Sequence, residues 1–383
     1  MKIIIGGDLY FGKRLETKAI NRPESLFSKD IFYEIKGADF SMINLESPLT
    51  NKNDRHKILK TGPNLKANPE CVKTLKYLDI DLVTLANNHI FDFGQQGLND
   101  TLNICKENKI STVGAGENLK QAKKIFYKKH KDITVAIINI AENEWGSASF
   151  VKGGANPLDL INNTRDIIEA KNKADFVFVI VHGGHEFYKY PSPRMKKLYR
   201  YFAEMGADLV VGHHTHCYSG FETYKKVPIY YSLGNFLFDS NTEFSGWYEG
   251  FLLSIEVVKG EVIKTKAIPY KQCKDGDIGV SLLTDFNFFN ENIKRINKVI
   301  SDDELLEKKY EKYIDKYQNM VLAFFSNDNL FDFWKMRGII RKLNLSRKFL
   351  RNKQLKSILN YVRCESHRDL TFSVLTKYLN DNK

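Results

Sequence analysis

Short apolar runs rich in β-branched and aromatic residues recur along the first 240 residues, and each runs directly into a polar cluster. Residues 2–5, 40–44, 82–86, 175–181 and 207–211 read as strands. Between them lie segments of helical period at 29–36, 69–78, 95–108, 157–172 and 193–205. Three of these open on Pro, which needs no amide partner in a first turn. Alternation of this kind predicts an α/β domain with crossover connections, and ligands beyond the carboxyl ends of the strands. After Pro228 the pattern changes to hairpins, with residues 251–258 and 261–268 alternating around Lys259-Gly260. Beyond about Cys273 the chain is helical, aromatic and lysine-rich, so a boundary is expected near 275. Residues 1–274 then form the main domain, and 275–383 form a basic helical region with no ligand cluster of its own.

The polar clusters at the strand ends carry the chemistry. Five of the nine histidines, His182, His185, His213, His214 and His216, fall within 35 residues, behind two neighbouring strands. The upstream strands end at Gly6-Gly7-Asp8, Leu45-Glu46 and Asn87-Asn88-His89. Zinc, manganese and iron accept imidazole nitrogen and carboxylate oxygen, and a hydrolytic site of both kinds can hold two ions about 3.5–4 Å apart around a bridging carboxylate. Asp8 and Glu46 supply carboxylates, Asn88 a neutral carbonyl, and His182, His214 and His216 imidazoles. Residues 214 and 216 face one side if extended, so one can serve each ion. A divalent transition metal, one or two ions of Mn, Zn or Fe, is therefore expected.

At this point the motifs become specific. Gly7-Asp8, Asn44-Leu45-Glu46-Ser47-Pro48-Leu49, Ala86-Asn87-Asn88-His89 with Asp92-x-Gly94, His182-x-Gly184-x-Glu186, Gly212-His213-His214-x-His216 and Tyr231-Ser232-Leu233-Gly234-Asn235-Phe236 occur in this order. The series resembles that of the CapA family, which is associated with capsule and poly-γ-glutamate synthesis and is related to calcineurin-like metallophosphoesterases. The resemblance covers residues 1 to about 270. It implies an α/β fold, a sandwich of two β-sheets flanked by helices (αββα), followed here by a helical C-terminal appendage. It implies that Asp8, Glu46, Asn88, His182, His214 and His216 hold metal. It also implies that His89 protonates the leaving group or stabilises the transition state, with the ions activating water as nucleophile. Glu186, Asn235, His213 and Tyr10 are expected to touch substrate or to orient a ligand. The chain departs from the phosphoesterases in two places: Tyr10 stands in Asp8-Leu9-Tyr10 where they carry an imidazole, and Glu46 replaces their bridging Asp. His185, His56, His130 and His367 match no motif position, and the last three are read as surface residues.

Composition adds limits. No apolar run approaches the roughly 20 residues of a membrane span. The three isoleucines after Lys2 are too few for a secretory signal, so the start is read as the first strand. Five scattered cysteines predict a reducing compartment without disulfides, and Cys217 is read as a packing thiol. A cytoplasmic location follows as an expectation. Net charge is +12 and uneven: from Lys335 to Arg363 there are ten Lys/Arg and no acid, with apolar residues at helical spacing. This segment is either a solvated helix face or a peripheral contact with the inner face of a membrane. The partner expected at the site is an anionic polymer or a phosphorylated substrate, and no specific nucleic-acid recognition is expected.

Gly7 to Arg14 nearly fits a phosphate loop, but Arg14 stands where that loop needs Ser or Thr, and its centre is Leu9-Tyr10-Phe11. Lys13 and Arg14 remain candidates to meet an anionic substrate. No Gly-x-Ser-x-Gly elbow is present. Two functions stay open: a metal-dependent hydrolase of the phosphoesterase type acting in capsule, exopolysaccharide or poly-γ-glutamate biosynthesis, and a non-catalytic assembly or binding component of a capsule machine.

Overall fold

The computed structural model describes residues 1–273, 279–326 and 352–381. Four parallel strands come first, β1 (Lys2–Tyr10), β2 (Phe40–Leu45), β3 (Leu82–Thr84) and β4 (Ser111–Val113). A small ribbon pairs β5 (Ala115–Gly116) with β8 (Gly154–Ala155). The second sheet takes β6 (Phe126–His130), β7 (Ile133–Ala141), β9 (Phe176–His182), β10 (Leu209–His213), β11 (Phe221–Tyr224) and β12 (Val227–Tyr230), in the order β11-β12-β10-β9-β7-β6. The chain then returns to the first sheet through β13 (Asn235–Phe238), β14 (Glu249–Glu256), β15 (Lys264–Gln272) and β16 (Val280–Leu282). That sheet runs β16-β15-β14-β1-β2-β3-β4, with β13 beside the far half of β1.

Side-chain alternation fixes the layers. Ile3, Ile5, Phe40 and Met42 pack into one core with β9 and β10 of the second sheet, whereas Ile4, Ile43 and Leu45 face the helices on the other side. Helices α1 (Lys13–Asn21), α2 (Lys29–Lys36), α3 (Val72–Tyr77) and α4 (Gly94–Glu107) cover the first sheet, and a short α5 (Leu119–Ala122) precedes β6. On the second sheet lie α6 (Leu160–Lys171) and α7 (Pro193–Glu204), started by Asp159 and Ser192 side chains that accept first-turn amides. The architecture is the expected pair of sheets between helical layers.

The C-terminal helices are α8 (Phe286–Ser301), α9 (Asp303–Ser326), α10 (Asn352–Arg363) and α11 (Glu365–Asp381). Phe289, Ile293, Ile296 and Ile300 of α8 join the inter-sheet core, while Tyr310, Ile314, Leu370 and Val374 of α9 and α11 pack with Tyr188. Most of the basic segment expected at 335–363 lies outside the described residues; its described part is α10.

Several elements differ from the sequence reading. The first strand runs on to Tyr10, so Asp8 lies inside a strand, at a register shift where β1 leaves β14 and pairs with Asn235 of β13. The helix expected at 157–172 begins at Leu160, because Asp159 caps it. The helix expected at 69–78 opens with a 3-10 turn, Pro69–Cys71. The phosphate-loop lookalike is a strand end followed by α1, and the Arg14 guanidinium is bound by the Asp239 carboxylate.

Candidate metal centre

Two glycines let the site close up. A Cβ on Gly7 would lie 1.9 Å from the Gly234 carbonyl oxygen, and one on Gly212 would lie 2.1 Å from that of Tyr231. Only bare backbone fits at either place, so Asp8 and the histidine loop after β10 can approach each other. Asp8, Glu46, Asn88, His182, His214 and His216 are all buried.

Around His182 the donors converge. Its Nε2 lies 3.0 Å from Asn88 Oδ1, 3.1 Å from His214 Nδ1 and 3.6 Å from Glu46 Oε1. Four donors placed about 2.1 Å from one tetrahedral ion stand about 3.4 Å from one another. The observed spacings are therefore those of ligands around a common centre. On the other side, Asp8, Glu46 and His216 form a second group with donor atoms within 4.8 Å of each other. Glu46 belongs to both.

Glu46 is fully buried, yet among the described residues neither of its carboxylate oxygens has a hydrogen-bond partner. An unpaired buried carboxylate is costly. Burial, together with Asp8, Glu186 and Glu144, pushes its pKa well above the usual carboxylate range. A cation shared between the two donor groups removes that cost, so the residues present fit one or two divalent ions. Asp8 is different: burial alone would raise its pKa, but His213, His182 and His216 outweigh it and hold the group below the usual range.

Neighbours orient these donors. Asn235 Oδ1 lies 2.9 Å from His216 Nδ1, and its amide nitrogen donates to the carbonyls of His216 and Trp247. The oxygen therefore accepts from Nδ1–H, leaving His216 Nε2 for an ion. Asn44 Nδ2 donates to Asp8 Oδ1 at 2.7 Å and lies 3.3 Å from His182 Nδ1, while the His214 amide donates to Asp8 Oδ2 at 3.0 Å. His213 Nδ1 lies 3.1 Å from Asp8 Oδ1 without an aligned hydrogen bond. The expectation that 214 and 216 share a side of an extended chain is corrected here. Both have positive φ, 90° and 55°, a conformation that costs on the order of 1–3 kcal/mol per residue and that turns them toward different donor groups.

A cavity of about 440 Å³ opens beside Asn88 and His214, and His89 lines it. Asp92 Oδ2 accepts from His89 Nδ1 at 2.6 Å, and Lys60 Nζ donates to Asp92 Oδ1 at 2.6 Å. Burial and the neighbouring Lys60 charge lower the His89 pKa, against the pull of Asp92. Sequence reasoning missed Lys60 and gave Asp92 no role beyond its motif; its spacing of three from His89 was the available signal. Glu144 also lines the cavity, and burial pushes its carboxyl up to about 8.

The remaining expected residues divide. Glu186 lines the cavity, and Asn235 touches the His216 imidazole. Tyr10 packs on Phe238 with ring centroids 4.9 Å apart and is not among the lining residues. His185 is buried against Tyr310 and Asp369. His367, read as a surface residue, is instead part of the cavity wall, because α11 lies across its mouth. His56 and His130 are half-buried away from it. Cys217 is buried, and that burial pushes its thiol up to about 12, as suits a packing residue.

The chain is similar to one family profile, two curated relatives and one solved structure. The sequence profile of the bacterial capsule synthesis protein PGA_cap matches residues 2–240. The capsule biosynthesis protein CapA of Bacillus anthracis is 32% identical over 251 residues, 63% of this chain and 59% of that protein. The PGA biosynthesis protein CapA of Bacillus subtilis is 33% identical over 244 residues, 63% of each. The chain thus spans about three fifths of the length of these curated relatives. A crystal structure of a novel phosphatase from Mycoplasma pneumoniae aligns with 70% of this chain and 92% of its own, at 16% identity and a TM-score of 0.44.

Proposed function

Because the chain belongs to the family of bacterial capsule synthesis proteins PGA_cap, we propose that it is a metal-dependent hydrolase of the phosphoester type, acting in capsule or poly-γ-glutamate biosynthesis. One observation carries this reading: two donor groups meet at Glu46, a buried carboxylate with no hydrogen-bond partner among the described residues. Bound there, divalent ions supply positive charge for a phosphoryl group and lower the pKa of water.

The chain's own residues do the rest. Asp8, His216 and Glu46 would hold one ion, and Glu46, Asn88, His182 and His214 the other. Asn235 fixes which nitrogen of His216 faces inward. His89 presents Nε2 to the cavity because Asp92 holds its Nδ1–H. In the free protein burial and Lys60 disfavour the charged imidazole. An arriving anion offsets Lys60, so His89 takes up a proton with the substrate and passes it to the leaving oxygen.

A non-catalytic assembly role is favoured by a different observation: the Asp8 group holds three donors, and Tyr10, in the place of an imidazole, packs on Phe238. The test is a hydrolase panel on protein reloaded with Mn, Zn or Fe. Turnover of a phosphate ester that needs the metal and His89 supports the hydrolase. Metal binding without turnover of any ester favours the assembly role.

A further inference from the structure

The cavity has a wall that the metal-site motifs do not supply. Asn88, His89 and His214 line it on the motif side, while Tyr313 and Tyr317 of α9 and His367 of α11 line it from beyond residue 240, where the family match ends. Its volume of about 440 Å³ falls in the range of small-ligand pockets.

This wall is held by specific contacts. Glu365 accepts from the backbone and side-chain amides of Asn143 at 2.6 and 2.7 Å, and the Ser366 hydroxyl donates to Glu142. Arg194 bridges Glu142 and Asp369 at 2.5 and 3.4 Å. Tyr313 packs between Tyr188 and Tyr317, with centroids 4.3 and 4.7 Å apart. Charge-assisted hydrogen bonds and an aromatic stack place α9 and α11 against the loops after β7 and β9.

We propose that Tyr317 and His367 are substrate-binding residues that hold the organic part of a phosphate ester, and that this part bears hydroxyl groups, as a sugar does. The inference rests on the hydrolase reading above, which puts the phosphoryl group at the metal donors. A phenol ring offers a flat carbon face, and imidazole, phenol and carboxylate offer hydrogen-bond partners for hydroxyls. Lys60, on the same cavity, is bound by Asp92 at 2.6 Å, while Glu186 opposes a second anion there, so a neutral polyol fits better than a carboxylate.

The test is calorimetric binding to the full chain loaded with Mn²⁺. The probes are inorganic phosphate and glucose 1-methylenephosphonate, whose C–P bond resists hydrolysis. The sugar phosphonate should bind about tenfold more tightly than phosphate, and Tyr317→Ala and His367→Ala should each erase most of that difference, the scale of losing one central contact. Metal content and phosphate binding should be unchanged in both. A full difference retained by both variants, or no difference in the wild type, overturns this inference alone. Failure of the Mn²⁺-loaded wild type to bind phosphate overturns the hydrolase reading and this inference with it.

Discussion

Asp92 holds His89 by a 2.6 Å hydrogen bond to Nδ1, and so decides which nitrogen faces the cavity. The pair leads to a graded expectation. His89→Ala should lower turnover of bis(p-nitrophenyl) phosphate by about 10²–10⁴-fold, the range for loss of a positioned proton donor. Metal content should stay intact, because His89 is not assigned to the ions. Asp92→Asn should fall between the two proteins, since the imidazole remains but its orientation is lost. Full activity in His89→Ala would reassign that residue to packing.

Lys60 predicts a pH effect with a definite sign. Burial first and Lys60 second lower the His89 pKa, so the charged imidazole is lost below its ordinary pH of about 6.5. Lys60→Met removes a like charge and should move the His89 ring titration, followed by NMR, to higher pH. An unchanged or lower titration would contradict this account of the triad.

Glu144 predicts a stability effect. Its carboxyl is raised to about 8 by burial, so the folded state binds a proton that the unfolded chain has already released. That contribution is fully present below the unfolded value of about 4.3 and is lost as pH rises through about 8. Glu144→Gln should therefore raise Tm relative to wild type at pH 9, with little change at pH 4. Equal Tm differences at both pH values would count against it.

Glu365 predicts how the C-terminal helices are fastened. Glu365→Ala removes two bonds to Asn143, at about 1.5–3 kcal/mol for a hydrogen bond to a charged group. Hydrogen exchange in α11 should accelerate while β9 and β10 remain protected. Uniform acceleration across the chain would mean global destabilisation instead.

The residues proposed to hold metal were legible because each follows a run of strand period, which places it at a sheet rim without knowledge of the fold. Asn235 was reached through the family likeness and has a clear role beside His216. Lys60 lies in a loop with no periodic neighbours, and Glu142 follows β7, a run not among the strands read from the sequence, so nothing local announces that one meets Asp92 and the other Arg194. The left-handed backbone at His214 and His216 was equally hidden, since non-glycine residues rarely adopt it. His367 stands in a polar, basic stretch, which reads as surface, but its helix packs on the rim of the site.

The central claim is that Glu46 joins two metal positions, and metal counting on single variants tests it most directly. Protein saturated with Mn²⁺ and freed of excess should hold two ions per chain by elemental analysis. His216→Ala should lose one and His214→Ala the other, with the fold intact by circular dichroism, whereas Glu46→Gln should reduce both. Two ions retained in folded Glu46→Gln, or none in the wild type, would contradict the account.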